Sequence, residues 1–282
     1  MIKCKMYSIY TKDEDNYSTP NIPGVEWVKN DDEAQLLVFE NFKIPEVEKI
    51  VSDKPKVAFM CEPRSMSGLN EAYEYLENNP DKFDAIFTFD SKILEFANAH
   101  LYFNTSVWGE MFPANRNALD TKLDMISMIS SNKEYCELHK KRIELAKMLE
   151  NNPKVRCFGT YNGGNICSTE TSHRAYKFAV VIENYIDDYW FTEKICNCFA
   201  NKVIPIYYGA KKISTFFNPE GIITVDNVDD ILGIVYNLNI SEEYEKRYDA
   251  VCDNYARVKT FSNYWELFKV MNFRVIERLV NK

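Results

Sequence analysis

Short apolar runs alternate with helix-like stretches along this chain, and that alternation narrows the fold more than any other feature of the sequence. Leu36-Leu37-Val38-Phe39, Val57-Ala58-Phe59-Met60-Cys61 and Ala85-Ile86-Phe87-Thr88-Phe89 read as buried strands. Between the last two, apolar residues at 69, 72, 73 and 76 recur at helical spacing. Strand, helix, strand in that order predicts parallel pairing through right-handed crossovers. The stretch 119–129 is less regular and reads as a connector. Beyond it the alternation resumes. Residues 134–150 read as a helix closed by Asn151-Asn152-Pro153, and Val155-Arg156-Cys157-Phe158 as a strand ending at Gly159. Tyr161-Asn162-Gly163-Gly164-Asn165 is the most turn-prone segment. Then follow a strand at 178–182, a helix at 192–200, a strand at 203–207, a helix from Lys211 and a strand at 222–225. A helix opening at Asp226-Asn227 and two more helices complete the chain. The result is an α/β protein of two β/α halves, a class whose ligands sit at the carboxyl ends of strands.

Composition removes several function classes. With 46% apolar and 27% charged residues the chain should be globular. A net charge of −8 argues against bulk nucleic-acid binding, which needs a basic footprint for phosphates. No apolar run reaches the length of a membrane span, and the start lacks the long apolar stretch of a secretory signal, so a cytoplasmic protein is expected. Eight cysteines are scattered without a C-x-x-C pair, which predicts reduced thiols rather than a disulfide frame or a zinc site. Cys196 and Cys198 read as small apolar fillers.

The segment richest in chemistry runs from Phe178 to Ala210. A buried strand ends in Glu183-Asn184, a loop of seven residues follows, and Thr192 stands ready to cap a helix whose first turn holds Glu193-Lys194. A helix N-terminus suits an anion such as a diphosphate. Lys194 opposes the helix dipole there, which makes sense if an anion sits against it; the plainer alternative is an ordinary cap and a solvated charge pair. The next strand ends at Tyr207-Tyr208-Gly209, where glycine would let a ligand approach the backbone. No Gly-x-Gly-x-x-Gly is present, so a dinucleotide oxidoreductase lacks its usual signature.

Glu183-Asn184, Thr192-Glu193-Lys194, Ile204-Pro205-Ile206-Tyr207-Tyr208-Gly209 and Phe216-Phe217-Asn218-Pro219 together resemble the donor-binding region of the family 10 glycosyltransferases, the α-1,3/4-fucosyltransferases. The order matches and the spacing matches closely over roughly residues 125–230. The resemblance implies a GT-B fold, two Rossmann-like domains with a cleft between them: residues 1–125 on the acceptor side, 126–262 for the nucleotide sugar, and a C-terminal helix at 263–282 packing back on the first domain. That helix is basic and amphipathic, so peripheral contact with the inner face of a membrane is the alternative. The implied activity is inverting transfer of fucose from GDP-fucose to a hydroxyl of an oligosaccharide or other glycan, with no metal and no cofactor beyond the donor. The alternatives are a different GDP- or UDP-linked deoxysugar on the same scaffold, and an inert sugar-nucleotide or glycan-binding module.

Carried over residue by residue, the resemblance places Lys194 at the diphosphate, Glu193 at ribose or sugar hydroxyls, and Asn184 at the sugar or nucleotide, with Glu183, Thr192, Tyr207 and Gly209 completing the donor side. Trp190 stands where the family has tyrosine, so a hydroxyl contact is lost or replaced by stacking. A family arginine that follows a Ser-Asn element maps to Arg142, with Lys141 second; a solvated helix charge is the alternative for Arg142. In the weaker N-terminal half, Met60-Cys61-Glu62-Pro63-Arg64 resembles the family's strand-end glutamate, which makes Glu62 the candidate general base. It could equally be a surface turn residue or the partner of Arg64, itself a second cation on that side. Asp13-Glu14-Asp15, Asp187-Asp188 and Asp229-Asp230 read as solvated acidic clusters rather than metal ligands. His100 and His139 have no ligand spacing, and neither does His173, which nonetheless lies close enough to the donor strand to reach the site.

Overall fold

The structure is a computed structural model that describes residues 1–9, 19–108 and 121–281. It divides into two compact units, Met1–Asn104 with Asn263–Lys282, and Thr105–Ser262.

In the first unit the strands are β1 Ile2–Tyr7, β2 Val25–Trp27, β3 Leu36–Glu40, β4 Lys56–Phe59, β5 Ala85–Thr88 and β6 Ala99–Leu101, with helix α1 Asn70–Asn78 between β4 and β5. Among the described residues these six strands form one sheet in the order β2-β1-β3-β4-β5-β6, every neighbouring pair parallel. The central strands β3, β4 and β5 are buried on both faces, which is why they read as continuous apolar runs instead of alternating ones. On one face α1 packs Ala72, Tyr73 and Leu76 against Leu37, Phe39, Ala58 and Ile86.

The second unit holds β7 Leu123–Ile129, α2 Glu137–Leu149, β8 Val155–Phe158, α3 Thr169–His173, β9 Tyr176–Ile182, α4 Glu193–Ala200, β10 Ile204–Tyr208, β11 Ile223–Thr224, α5 Asp230–Asn237 and α6 Ile240–Arg257. Its five described strands form a second parallel sheet, ordered β11-β10-β9-β7-β8. Strand order reverses between β7 and β9, so the carboxyl ends of those two strands flank the point where such sheets bind ligands. Helix α7, Tyr264–Val280, belongs with the first unit, where Phe268 packs on Phe59 and Phe87 at ring separations of 5.1 and 5.0 Å. Among the described residues no helix is long and apolar enough to cross a membrane.

Two expected elements differ. The supposed connector is β7, a strand in the middle of the second sheet that runs straight through the division expected at 125/126. Its Asp124 and Ser127 interrupt the apolar run, yet Ser127 is fully buried, so the polar residues mask a core strand. The expected helix from Lys211 is only a turn of 3₁₀ helix, Ile213–Thr215. Phe217 stacks into Phe191, Phe199 and Phe261 at ring separations of 5.8, 4.6 and 5.2 Å, and Pro219 follows at once. Proline cannot donate the hydrogen bond a continuing helix would need.

Candidate active site

The end of β9 delivers Glu183 and Asn184 at the carboxyl edge of the second sheet, beside β7. The chain loops out and returns as α4, so that Thr192 and Lys194 fall directly over Glu183. The Glu183 carboxylate is 0% exposed. It accepts from the Thr192 backbone N–H at 3.0 Å and from the Thr192 hydroxyl at 2.8 Å, and Lys194 Nζ lies 3.3 Å away. Two hydrogen bonds from Thr192 and the ion pair with Lys194 satisfy a carboxylate that water cannot reach, the condition for burying such a charge. Lys194 also donates to Thr192 Oγ1 at 2.8 Å and to Glu193 Oε1 at 3.2 Å. Burial works against the ammonium, but Glu183 and Glu193 outweigh it and raise its pKa. For Glu193 burial likewise opposes the charge, and Lys194 overcomes it, holding the carboxyl below its ordinary range.

This geometry bears on three expectations. Thr192 occupies the N-cap position of α4, but it gives its hydroxyl to Glu183 and makes no side-chain cap. Glu183, inside the protein, is one anion that sits against Lys194 and offsets its opposition to the helix dipole. Glu183, expected to face the donor, has no surface to offer one; it acts by fixing Thr192 and Lys194. Gly209 is also explained differently. A Cβ there would lie 2.2 Å from the Tyr207 hydroxyl oxygen and 2.8 Å from Glu183 Cγ, so glycine makes room for those buried side chains and not for an approaching ligand. Tyr207 is itself a core residue, its hydroxyl accepting from the Ala210 N–H at 2.9 Å. Gly209→Ala should therefore lower stability by about 1–3 kcal/mol, the scale of overpacking a filled core. Gly233→Ala, in α5 with open space around the added methyl, should raise stability by roughly 0.5–1 kcal/mol. Urea midpoints of the two variants test the contrast; a Gly209→Ala protein as stable as wild type would refute the packing account.

Trp190 is buried, and its indole N–H donates to Asn184 Oδ1 at 2.9 Å. The Asn184 carbonyl accepts from the Cys136 thiol at 3.3 Å. The indole thus orients Asn184 through a hydrogen bond and stands behind it.

The buried stripe of α2 runs through His139, Arg142, Ile143, Ala146 and Leu149, the spacing of a core-facing helix face. Two of those positions are polar. Arg142 is 8% exposed and His139 7%. Among the described residues, Arg142 Nε and Nη2 and His139 Nδ1 are buried with no hydrogen-bond partner. Burial lowers the Arg142 pKa, against the pull of Glu183 and Glu193. Burial also pushes the His139 imidazole down to about 4, helped by the charges of Arg142, Lys194 and Lys133. For want of ligand spacing His139 was not expected at the site; the signal passed over was its i, i+3 spacing to Arg142 on an otherwise apolar face. Lys141 points away, pairing with Asp229 at 3.3 Å. His173 stands apart too, its Nδ1 bonded to the Ser172 hydroxyl at 2.9 Å and its pKa lowered by burial to about 4.

In the first unit Glu62 follows β4 on a rigid mount. Asn41, at φ 47°, accepts the Cys61 and Glu62 N–H groups at 2.9 and 3.3 Å, and the Tyr73 hydroxyl donates to the Glu62 carbonyl at 2.7 Å. Arg64 is neither a spare cation nor the partner of Glu62. It forks onto buried Asp90 at 2.6 and 2.8 Å, pairs with Glu77 at 2.6 Å, and lies 4.2 Å over the Tyr73 ring. Those partners raise its pKa against the cost of burial and make it a brace for the loop.

Among the described residues no group of three or more His, Cys, Asp or Glu side chains is placed to hold a metal ion. Asp188 and Asp229 take up Lys212 and Lys141 respectively, while Asp13-Glu14-Asp15 lies outside the described residues. All eight cysteines are free thiols, and Cys196 and Cys198 are fully buried fillers.

No curated protein matches the chain. Solved structures do. A crystal structure of an α1,3-fucosyltransferase with GDP is 16% identical, with TM-score 0.61, covering 100% of this chain and 90% of the other. One of an α1,3-fucosyltransferase with GDP-fucose is 14% identical, with TM-score 0.60 and the same coverage. A sucrose-phosphate synthase from Thermosynechococcus elongatus is 11% identical, with TM-score 0.58, covering 88% and 74%. At these identities the likeness speaks for the fold, which is that of the GT-B glycosyltransferases. Residues 119–270, more than half of the chain and all of the site in the second unit, match the model of the glycosyltransferase family 10 (fucosyltransferase) C-terminal domain. The chain is therefore a glycosyltransferase and belongs to family 10, the family of the fucosyltransferases.

Proposed function

We propose that this enzyme moves fucose, or a closely related deoxysugar, from a GDP-sugar to a hydroxyl of a glycan acceptor with inversion at the anomeric carbon. The second unit would hold the donor and the first the acceptor. The observation that carries this is the pair of cations at the carboxyl edge of the second sheet: Arg142, buried with donors that find no partner among the described residues, and Lys194, set in place by Glu183. A buried guanidinium with unmade hydrogen bonds is costly unless an anion completes it, and a diphosphate supplies both charge and acceptors. Glu193 and Asn184 lie next to that pair and would take ribose or sugar hydroxyls. The similar fucosyltransferase structures hold GDP and GDP-fucose, which supports a guanosine diphosphate.

The acceptor oxygen attacks the anomeric carbon as the bond from that carbon to the diphosphate oxygen breaks. Arg142 and Lys194 stabilise the charge gathering on the leaving group, so the reaction would run without a metal, and Glu62 takes the hydroxyl proton. The test is a thermal-shift panel of GDP- and UDP-linked sugars in EDTA, since a ligand of the native state raises the melting temperature. GDP-fucose or a GDP-deoxysugar should give the largest rise, followed by nucleotide release when a glycan acceptor is added. A larger rise with UDP-sugars, or binding that requires added manganese, would refute the proposal.

A further inference from the structure

His139 is left unexplained by a site built on Arg142 and Lys194. It lies one helical turn before Arg142 on the buried face of α2, in the first turn of that helix. Among the described residues its Nδ1 is buried without a hydrogen-bond partner, as are two nitrogens of Arg142. The charges that act most on it are cations, Arg142 from its own helix, Lys133 from the segment before it and Lys194 from α4, while the carboxylates Glu183 and Glu193 are engaged with Lys194. The Tyr135 ring covers it at 6.0 Å. A helix start adds partial positive charge of its own. Burial and these cations therefore favour a neutral imidazole, because an imidazolium would be repelled from several directions. A bound diphosphate would counter that field, because its negative charge offsets the neighbouring cations and one of its oxygens can accept from the ring.

We infer that His139 is a third ligand of the donor's diphosphate, binding it as an imidazolium beside Arg142 and Lys194, so that nucleotide binding takes up a proton from solvent. The inference rests on the diphosphate site proposed above and adds to it a residue and a pH dependence. The sign follows from linkage. The unliganded ring protonates only near pH 4 and the liganded ring at a higher pH, so the contribution of His139 to affinity is full at low pH. It is lost as pH rises through the pKa of the liganded state.

The test is calorimetric titration of GDP into wild type and His139→Asn from pH 5 to 8, in two buffers of different ionisation enthalpy to count protons. Wild type should bind about ten- to a hundredfold more tightly at the acid end, the scale of a charge-assisted hydrogen bond, and the gap should close with rising pH. It should also take up more protons than the variant; the β-phosphate of GDP titrates in both and cancels in the comparison. The chain has only three histidines, so ring NMR of the wild type follows His139 directly and needs no variant. A His139 ring that stays neutral when GDP binds, or equal proton counts in the two proteins, would overturn the inference. If Lys194→Ala binds GDP as tightly as wild type, the diphosphate site itself is misplaced, whatever His139 does.

Discussion

Lys194→Ala is expected to lower sugar transfer by about 10²-fold or more, the effect of removing one group that stabilises charge developing in a transition state. The structure shows why this loss would be entangled with folding. Lys194 supplies the counter-charge to a carboxylate that is completely buried, and removing it leaves Glu183 with only the two hydrogen bonds of Thr192. Breaking a buried pair from one side costs roughly 3–5 kcal/mol, and this pair should fall toward the lower end because the lysine side chain is 28% exposed. A second variant separates the two effects. Lys194→Met combined with Glu183→Gln removes both charges at once, and replacing both partners of a buried pair is far less disruptive than removing one. The double variant should recover much of the lost melting temperature while transfer stays down by about 10². Transfer that returned along with stability would mean that Lys194 only holds the loop, and the diphosphate contact would have to be assigned elsewhere.

The architecture was largely legible because parallel strands buried on both faces leave apolar runs with no polar interruption. Where a polar residue did intrude, as at Asp124 and Ser127 in β7, the same rule hid a central strand. The site was legible only as a set of residues. That Glu183, Thr192 and Lys194 belong together follows from their order in the chain, but which of them meets a ligand depends on how residues 185–191 fold α4 back over the end of β9. Spacing does not encode that return, so a buried positioning carboxylate was expected to be a contact residue. Trp190 and Asn184, six residues apart across the same loop, were each expected on the donor side, and the indole of Trp190 holds Asn184. His139 and Arg142 teach the converse. A charged residue on the apolar stripe of a helix is visible in the sequence, and such residues are rarely buried without a reason.

Glu62→Gln should leave nucleotide binding intact and lower transfer by a factor on the order of 10²–10⁴, the contribution of a well-placed general base. Attack on the anomeric carbon needs a hydroxyl that loses its proton as the new bond forms. Glu62 is suited to take that proton because its backbone is immobilised on both sides, by Asn41 at the N–H groups and Tyr73 at the carbonyl. It lies just past β4, at the carboxyl edge of a parallel sheet, where open α/β folds place their ligands. Arg64, two residues on, is taken up by Asp90 and Glu77 and braces the loop that carries Glu62. The glutamine variant keeps shape and hydrogen-bonding reach while removing basicity. Donor affinity and transfer rate must therefore be measured on the same preparation. In Glu62→Gln most of the rate should be lost while GDP affinity stays at the wild-type level. Should transfer persist near the wild-type level, another carboxylate accepts the proton. Should GDP affinity collapse as well, Glu62 serves the fold or the donor, and its assignment as the base fails.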